Sequence, residues 1–156
     1  MPTMKEAASD FLAHKRIAVT GVSRNPGDHG SNAVFKRLRD RGYRVFAVNP
    51  NADNVEGARS YHDLKSIPGG VDAVVIATAA DKAEGTVREC VELGIKHVWM
   101  HRSYGQGSVS ATAAAYGRKH GITVIDGGCP LMFAPTADFG HKIMRVLLSG
   151  RIPQSV

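Results

Sequence analysis

The fold is decided by residues 16–31, which read RIAVTGVSRNPGDHGS. The first five form a continuous run rich in β-branched residues, which is typical of a strand covered on both faces. The glycine-rich remainder leads into an amphipathic segment at residues 31–41, where Val34, Phe35 and Leu38 share one side. A strand, a glycine-rich loop and a helix in this order predict the first unit of a parallel α/β sheet.

Four further apolar runs follow along the chain, and segments of helical character separate them. The predicted strands cover residues 44–48, 73–77, 97–100 and 122–125. Each run is continuous rather than alternating, as in strands that are buried on both faces. Repeated alternation of strand and helix favours right-handed crossovers. We therefore predict an α/β fold, a doubly wound parallel five-stranded sheet of the Rossmann type with helices on both faces.

Helix boundaries are indicated by capping residues and glycines. Asp81 and Glu84 have the spacing of a capping box and predict the start of the helix after the third strand. Three glycines each follow a helical segment, where a glycine readily adopts the left-handed conformation that ends a helix. They are Gly42, Gly94 and Gly121. Further helices are predicted at residues 4–13, 109–119 and 138–148. Because no repeat or linker interrupts the pattern, we predict a single domain over residues 1–156 with its core at about 11–133.

The composition indicates one domain with an anionic ligand. The chain has 156 residues, 43% hydrophobic and 22% charged, which is ordinary for a globular domain. Its net charge of +6 favours an anionic partner, either nucleic acid or a phosphorylated cofactor. Aromatic residues make up only 6% and are not interleaved with basic ones, so we predict no nucleic-acid partner. No apolar run approaches the roughly 20 residues of a membrane span, so we predict no membrane partner and a cytoplasmic location.

Cysteine and histidine residues give no sign of a reactive or metal-binding centre. Cys90 and Cys129 form no Cys-x-x-Cys pair, and reduced thiols fit the cytoplasm. Nothing near Cys129 in sequence identifies an activating partner, so we predict a buried, inert thiol there. His97 and His101 are four residues apart but flank a predicted strand, where that spacing does not converge, so we predict no metal site.

The loop after the first strand is the first candidate for ligand binding. Open parallel sheets bind ligands beyond the carboxyl ends of their strands, where the winding direction reverses. Residues 21–31 occupy that edge and contain Gly21, Gly27 and Gly30. Glycines let the backbone approach a phosphate, and the following helix offers free N–H groups and the positive end of its dipole. The Gly-x-Gly-x-x-Gly spacing is absent, so we predict a phosphate site without the standard dinucleotide fingerprint.

The end of the second strand discriminates among nucleotide cofactors. A domain that binds NAD has an acidic residue there, which accepts hydrogen bonds from the ribose hydroxyls. This chain has Asn49 and Pro50 instead, and its next carboxylate is Asp53. An uncharged tip tolerates a phosphate on that ribose, which a carboxylate would repel. This favours coenzyme A or NADP over NAD.

Two further segments reach the same edge. Small residues at 77–80 follow the third strand, and they either leave room for a ligand or serve tight helix packing. Met100 and His101 follow the fourth strand. The ends of four neighbouring strands are therefore expected to surround one site.

Several stretches in a fixed order carry a family resemblance. They are GVSR at 21–24, GYRVFAVNP at 42–50, YHDL at 61–64, VDAVVI at 71–76, WM at 99–100 and CPLM at 129–132. Together they resemble the stand-alone CoA-binding proteins, which are similar to the N-terminal domain of the succinyl-CoA synthetase α subunit. The resemblance covers about residues 11–133.

The resemblance implies that coenzyme A lies across the carboxyl edge of the sheet. By position, the residues that would line it are Gly21, Val22, Ser23, Arg24, Gly30 and Ser31 at the phosphates, Asn49 and Pro50 at the adenosine end, and Ala77, Thr78, Met100 and His101 along the pantetheine. The synthetase's phosphorylated histidine belongs to a second domain outside the resemblance, so no catalytic residue is carried across.

The resulting expectation is a non-catalytic or regulatory module that binds coenzyme A or an acyl-CoA. Its protein partner would be a second copy of the chain or a separate acyl-CoA enzyme. The alternative is an NADP-dependent oxidoreductase domain, which the missing fingerprint and the missing substrate domain weaken.

Overall fold

Seven strands form one sheet in the computed structural model, which describes residues 2–25, 30–102 and 107–133. The strands are β1 Arg16–Thr20, β2 Arg44–Val48, β3 Asn54–Val55, β4 Ala58–Tyr61, β5 Ala73–Ile76, β6 His97–Met100 and β7 Thr123–Asp126. The helices of the same ranges are α1 Met4–Ala13, α2 Gly30–Asp40, α3 Ala80–Leu93 and α4 Ala111–Lys119, followed by a 3-10 turn at Pro130–Met132. None of these helices is long and apolar enough to cross a bilayer.

The strand order confirms the predicted doubly wound parallel sheet. Across the sheet the order is β3-β4-β2-β1-β5-β6-β7, and every neighbouring pair is parallel except β3 with β4. The chain winds outward from β1 in one direction through β2 and β4, then returns to the other side of β1 and continues through β5. The winding therefore reverses between β1 and β5, and this is where such a sheet binds its ligand.

The predicted number of five strands is wrong, because β3 and β4 were not recognised. They are two and four residues long and form a hairpin at the sheet edge, and only one residue of each strand is buried. Short, partly polar strands lack the continuous apolar run by which the other five are identified. The hairpin replaces the helix that would otherwise follow β2, and this leaves β4 beside β2.

Alternate strand residues pack against helices on opposite faces. Ile17 and Val19 of β1 lie in a core cluster with α1 and α2, whereas Ala18 lies in a second cluster with α3 and α4. In the first cluster, Phe11 of α1 meets Trp99 of β6 edge to face, with ring centroids 5.4 Å apart. The predicted helices on both faces are confirmed.

The helix ends agree with the prediction in part. Gly42, Gly94 and Gly121 have positive φ angles of 84°, 73° and 82°, as expected for glycines just past helices. The predicted capping box at the start of α3 is wrong, because the N-cap is Ala79 and makes no side-chain hydrogen bond. Asp81 lies inside the first turn instead, and the Glu84 carboxylate accepts from Arg88 at 3.0 Å.

Most helix bounds match the prediction closely. The first helix covers the predicted residues 4–13, α2 begins one residue earlier than predicted, and α4 begins two residues later than its predicted start. The predicted helix at 138–148 lies outside the described residues.

Candidate ligand site at the carboxyl edge

The chain leaves β1 at Gly21, which contacts the backbone that leaves β5. Gly21 has a φ of +77°, and a Cβ atom there would lie 2.7 Å from the Ala77 carbonyl oxygen. Any side chain would collide with that backbone and would also strain the left-handed conformation. The space beside Gly21 is therefore occupied by Ala77, and this explains the glycine without a ligand. Gly21 still borders the site, because its neighbours Thr20 and Thr78 line the same edge.

The loop after β1 is held by side chains from the first turn of α2. The amide of Asn32 donates to the Ser23 carbonyl oxygen at 2.8 Å and accepts from the Ser23 N–H at 2.8 Å. It also donates to a Glu56 carboxylate oxygen at 2.9 Å, and Asn32 is 1% exposed. The Ser31 hydroxyl donates to the Gly21 carbonyl oxygen at 2.8 Å. These bonds fix the loop in one shape before any ligand binds.

Asn49 joins the end of β2 to the same loop. Its amide donates to the Val22 carbonyl oxygen at 2.9 Å, while its side-chain oxygen accepts from the Asn51 N–H at 2.8 Å. Because both side-chain groups are bonded within the protein, Asn49 shapes the edge of the site. Contact between Asn49 and the adenosine end of a ligand stays a prediction.

His101, just after β6, lies against the start of α2. A Cβ atom on Gly30 would be 3.2 Å from the His101 Cε1 atom, so the two residues touch. This contact brings together the segments after β1 and β6. The gap in the described residues at 26–29 lies directly before Gly30.

The remaining predicted residues differ in what they can present to a ligand. Val22, Ser31 and Met100 are buried, and Met100 belongs to the core cluster under α3 and α4. Ligand contacts at these positions would have to come mainly from backbone atoms. The Arg24 side chain is exposed. All twelve assignments stay predictions, although the structure places them along one edge of the sheet.

A cavity of about 170 Å³ lies where the winding direction reverses. Three of the predicted residues line it, namely Gly21, Pro50 and Thr78. Its far wall is the face of α3 that carries Lys82, Thr86 and Glu89. Pockets that enclose a drug-sized ligand usually measure about 300–1,000 Å³, so this cavity suits one part of a larger ligand.

A second cavity of about 350 Å³ adjoins the first beside β4. His62 and Asp63 line both cavities, so the open space continues along the edge towards Arg59. The His62 Nε2 atom lies 2.9 Å from an Asp53 carboxylate oxygen. Together the two cavities offer an elongated path across the ends of β4, β2 and β1.

Two polar groups on the α3 side of the first cavity have no hydrogen-bond partner in the described part of the chain. The Thr78 Oγ1 atom is buried without a partner. The Lys82 side chain is exposed and makes no hydrogen bond or ion pair with a described residue. Sequence reasoning included Thr78 and missed Lys82, because an exposed helical lysine carries no distinguishing pattern. The only signal available was its place in the first turn of α3, where a cation opposes the helix dipole.

Neither cysteine is available as a nucleophile. Cys90 and Cys129 are both buried. Burial raises the pKa of the Cys90 thiol to about 12, and the Glu89 carboxylate adds to this effect, so the thiol stays protonated at neutral pH. Among the described residues, no group of three or more His, Cys, Asp or Glu side chains could hold a metal ion.

The chain is similar to several known proteins. A Bacillus subtilis protein, "Uncharacterized protein YneT", is 32% identical over 80% of this chain and 88% of its own length. An Archaeoglobus fulgidus protein, "Acetate--CoA ligase [ADP-forming] II", is 33% identical over 74% of this chain but only 18% of its own length. A solved structure, "hypothetical protein from Pyrococcus horikoshii OT3", has a TM-score of 0.75 at 25% identity, covering 84% of this chain and 92% of that one.

The family assignment rests on most of the chain. The chain spans less than a fifth of the archaeal ligase, so the likeness concerns one domain of that enzyme. The family model described as "CoA binding domain" matches residues 15–135, which include β1 to β7 and every predicted site residue. This chain therefore belongs to the CoA-binding domain family.

Proposed function

We propose that the protein binds coenzyme A or an acyl-CoA across the carboxyl edge of its sheet, without catalysing a reaction of its own. The proposal rests on one observation above all. The cavity at the reversal between β1 and β5 is lined by Gly21, Pro50 and Thr78 in a chain that belongs to the CoA-binding domain family. The fold places a nucleotide at this position in open parallel sheets.

The start of α2 is the proposed position of the pyrophosphate. Gly30 and Ser31 are its first residues, and the exposed Arg24 lies in the loop before it. Free N–H groups and the helix dipole favour an anion at such a helix start. The adenosine end would then lie towards Pro50, and the pantetheine would pass Ala77 and Thr78 towards His101.

The end of β2 argues against NAD. The side chain of Asn49 is bonded to the Val22 carbonyl oxygen and the Asn51 N–H, and it carries no charge. The Glu56 carboxylate accepts from Asn32 and lies 4.0 Å from the Lys36 ammonium, so it is already paired within the protein. Neither residue offers a free carboxylate to a ribose diol. The NADP-dependent alternative finds no support in the relatives, since the archaeal one is named a CoA ligase.

The proposed role is that of a binding module beside other proteins. The archaeal relative carries a similar segment inside a chain more than five times its length. We propose that this protein works with a separate acyl-CoA enzyme or as a homodimer. Both cysteines are buried, and the high pKa of Cys90 fits the absence of a thiol nucleophile in this proposal.

Thermal denaturation with added cofactors tests the proposal. A ligand that binds only the folded state stabilises it by about 2.7 kcal/mol at one hundred times its Kd. For a chain of this size that corresponds to a rise in Tm of roughly 5–10 °C. We expect this rise with CoA and a much smaller one with NAD or NADP at equal concentration. A larger rise with NADP would contradict the proposal.

A further inference from the structure

Two histidine rings stack between the end of α1 and the start of β6. His14 is the C-cap of α1, and its backbone N–H donates to the Phe11 carbonyl oxygen at 3.2 Å. Its ring centroid lies 4.3 Å from that of His97, the first residue of β6, and both residues are partly buried. Neither ring forms an ion pair or a hydrogen bond with a described residue. The stack therefore joins two side chains that both become cations in mildly acid solution.

The alternation of residues in β6 places this stack beside the core that α1 covers. His97 and Trp99 are two residues apart, so their side chains lie on the same face of the sheet. Trp99 is fully buried, and the ring of Phe11 meets it edge to face with the centroids 5.4 Å apart. Phe11 and His14 are three residues apart, so two neighbouring ring contacts hold the end of α1 against β6.

Partial burial and a neighbouring charge disfavour a proton on His97. Burial lowers the pKa of His97, and a cation on His14 lowers it further. Two carboxylates raise the pKa of His97 to a smaller extent. They belong to Asp10, one turn before His14 in α1, and to Asp72, directly before β5. The pKa of His97 in the folded chain is therefore below the ordinary value of a histidine.

The other charged groups near the pair in sequence are directed elsewhere or lie in solvent. The Lys15 ammonium lies over the Tyr43 ring, 4.4 Å from its centroid. The Arg16 guanidinium donates to two carbonyl oxygens in residues 68–70, and Lys96 is exposed. The residues that pair with His97 in the neighbouring strands are uncharged, namely Ala73 and Thr123. The nearest charge that opposes a proton on His97 is therefore a cation on His14.

We infer that the His14–His97 pair is a pH-sensitive contact, which holds the end of α1 on the sheet at neutral pH and weakens in mildly acid solution. A histidine whose pKa is lowered by folding stabilises the folded chain above its unfolded pKa of about 6.5, and this stabilisation is lost as the pH falls through the folded pKa. The loss should be greatest in α1, because the repulsion acts between its end and β6. The pair lies at the opposite end of β6 from His101, so the effect does not require a ligand at the carboxyl edge.

Hydrogen exchange of the α1 amides, followed by mass spectrometry at about pH 7.5 and about pH 5.5, measures this contact. The protection of residues 4–13, corrected for intrinsic exchange rates, is divided by that of α4, residues 111–119. Because α4 packs on the other face of the sheet, this ratio removes changes that affect the whole fold.

The variants are His97→Gln, His14→Gln and the matched control His120→Gln, and circular dichroism checks their folding. His120 also stacks on a ring, that of Tyr116, with the centroids 4.2 Å apart. A tyrosine gains no proton in this pH range, so the control removes a stacked histidine whose partner does not become a cation.

In the wild-type protein the relative protection of α1 is expected to fall by at least about threefold between the two pH values. His97→Gln should reduce this fall to less than about 1.5-fold, because it removes the group whose protonation folding opposes. His14→Gln should give a smaller fall than the wild type, since the burial of His97 still opposes its proton. His120→Gln should keep the wild-type fall.

Three results would overturn the inference. The first is a wild-type protection ratio that does not change with pH. The second is a fall that persists in full in His97→Gln or in His14→Gln, and the third is a fall that disappears in His120→Gln. Should His97→Gln fail to fold, the comparison of His14→Gln with the wild type and with His120→Gln decides the matter.

Discussion

Two sides of the carboxyl edge differ in how their polar groups are satisfied. The loop side consists of residues 21–25 with the first turn of α2, and there the Ser31 hydroxyl and the Asn32 amide bond to the loop backbone. The α3 side consists of Thr78 and the first turn of α3. Its buried hydroxyl and its lysine have no partner among the described residues, and its helix start is uncapped.

This difference indicates that the two sides contribute differently to stability and to ligand binding. A loop whose side chains are already bonded loses little conformational entropy when a ligand arrives, so it can position the ligand. A buried hydroxyl without a partner, such as that of Thr78 on the α3 side, is unfavourable in the free protein. We therefore expect substitutions on the loop side to lower the free energy of unfolding, and loss of the Thr78 hydroxyl on the α3 side to raise it.

The largest effect is expected at Gly21. The loss in the free energy of unfolding should be at least about twice as large for Gly21→Ala as for Gly42→Ala. Both glycines have a positive φ, which costs an alanine about 1–2 kcal/mol. Only at Gly21 would the new Cβ lie 2.7 Å from the Ala77 carbonyl oxygen, since nothing lies within 4 Å at Gly42. Urea denaturation measures both values.

The comparison with Gly42 isolates the contact from the backbone strain. Equal losses in the two variants would mean that the backbone after β5 moves aside easily, and the loop would then be less rigid than proposed. A Gly21→Ala variant that folds should also bind CoA more weakly, because Thr78 follows the displaced residue.

Asn32 should give the next largest loss. Asn32→Ala removes both hydrogen bonds to the Ser23 backbone and the one to the Glu56 carboxylate, and it leaves these groups without that partner. We expect a loss of about 2–3 kcal/mol in the free energy of unfolding, measured by urea denaturation.

Asn54→Ala is the matched control for Asn32→Ala. Asn54 is exposed in β3, and its side chain makes no hydrogen bond with a described residue. The same change from asparagine to alanine should therefore alter the free energy of unfolding by less than about 0.5 kcal/mol. Losses of similar size in both variants would show that the bonds from Asn32 to the loop do not determine the effect.

The parts of the architecture that could be predicted from sequence are the buried strands, which continuous apolar runs identify. The five strands β1, β2, β5, β6 and β7 were placed to within one residue, because each is a continuous apolar run next to a helical segment. The β3–β4 hairpin was missed because ARSY at residues 58–61 is short, partly polar and at the sheet edge. The capping box at α3 was a wrong prediction, since Asp81 and Glu84 have the right spacing but Asp81 lies two residues after the N-cap, Ala79.

The sheet edge that carries the candidate site could be predicted from sequence, but the contacts within it could not. The rule for parallel sheets places the ends of β1, β2, β5 and β6 together, and this brought Gly21, Pro50 and Thr78 to one cavity. The packing that requires glycine at position 21 could not be predicted, because the residue it contacts, Ala77, follows another strand far along the chain. Lys82 was missed for the same reason, since only the packed structure shows that it borders this cavity without a partner among the described residues.

The smallest effect on stability, and the one of opposite sign, is expected at Thr78. Thr78→Val removes a buried hydroxyl that has no partner among the described residues and keeps a β-branched side chain of similar shape. We expect the free energy of unfolding to rise by about 1 kcal/mol.

Thr20→Val is the matched control for Thr78→Val, because the expected change in stability has the opposite sign. The Thr20 hydroxyl is also buried at this edge, but it accepts from the Ala77 N–H at 3.1 Å. Its loss should leave that N–H unpaired and lower the free energy of unfolding by about 1–3 kcal/mol. The same chemical change would thus stabilise at one position and destabilise at the other. If Thr78→Val destabilises the protein, the hydroxyl has a partner in the free state, and the proposed contrast between the two sides fails.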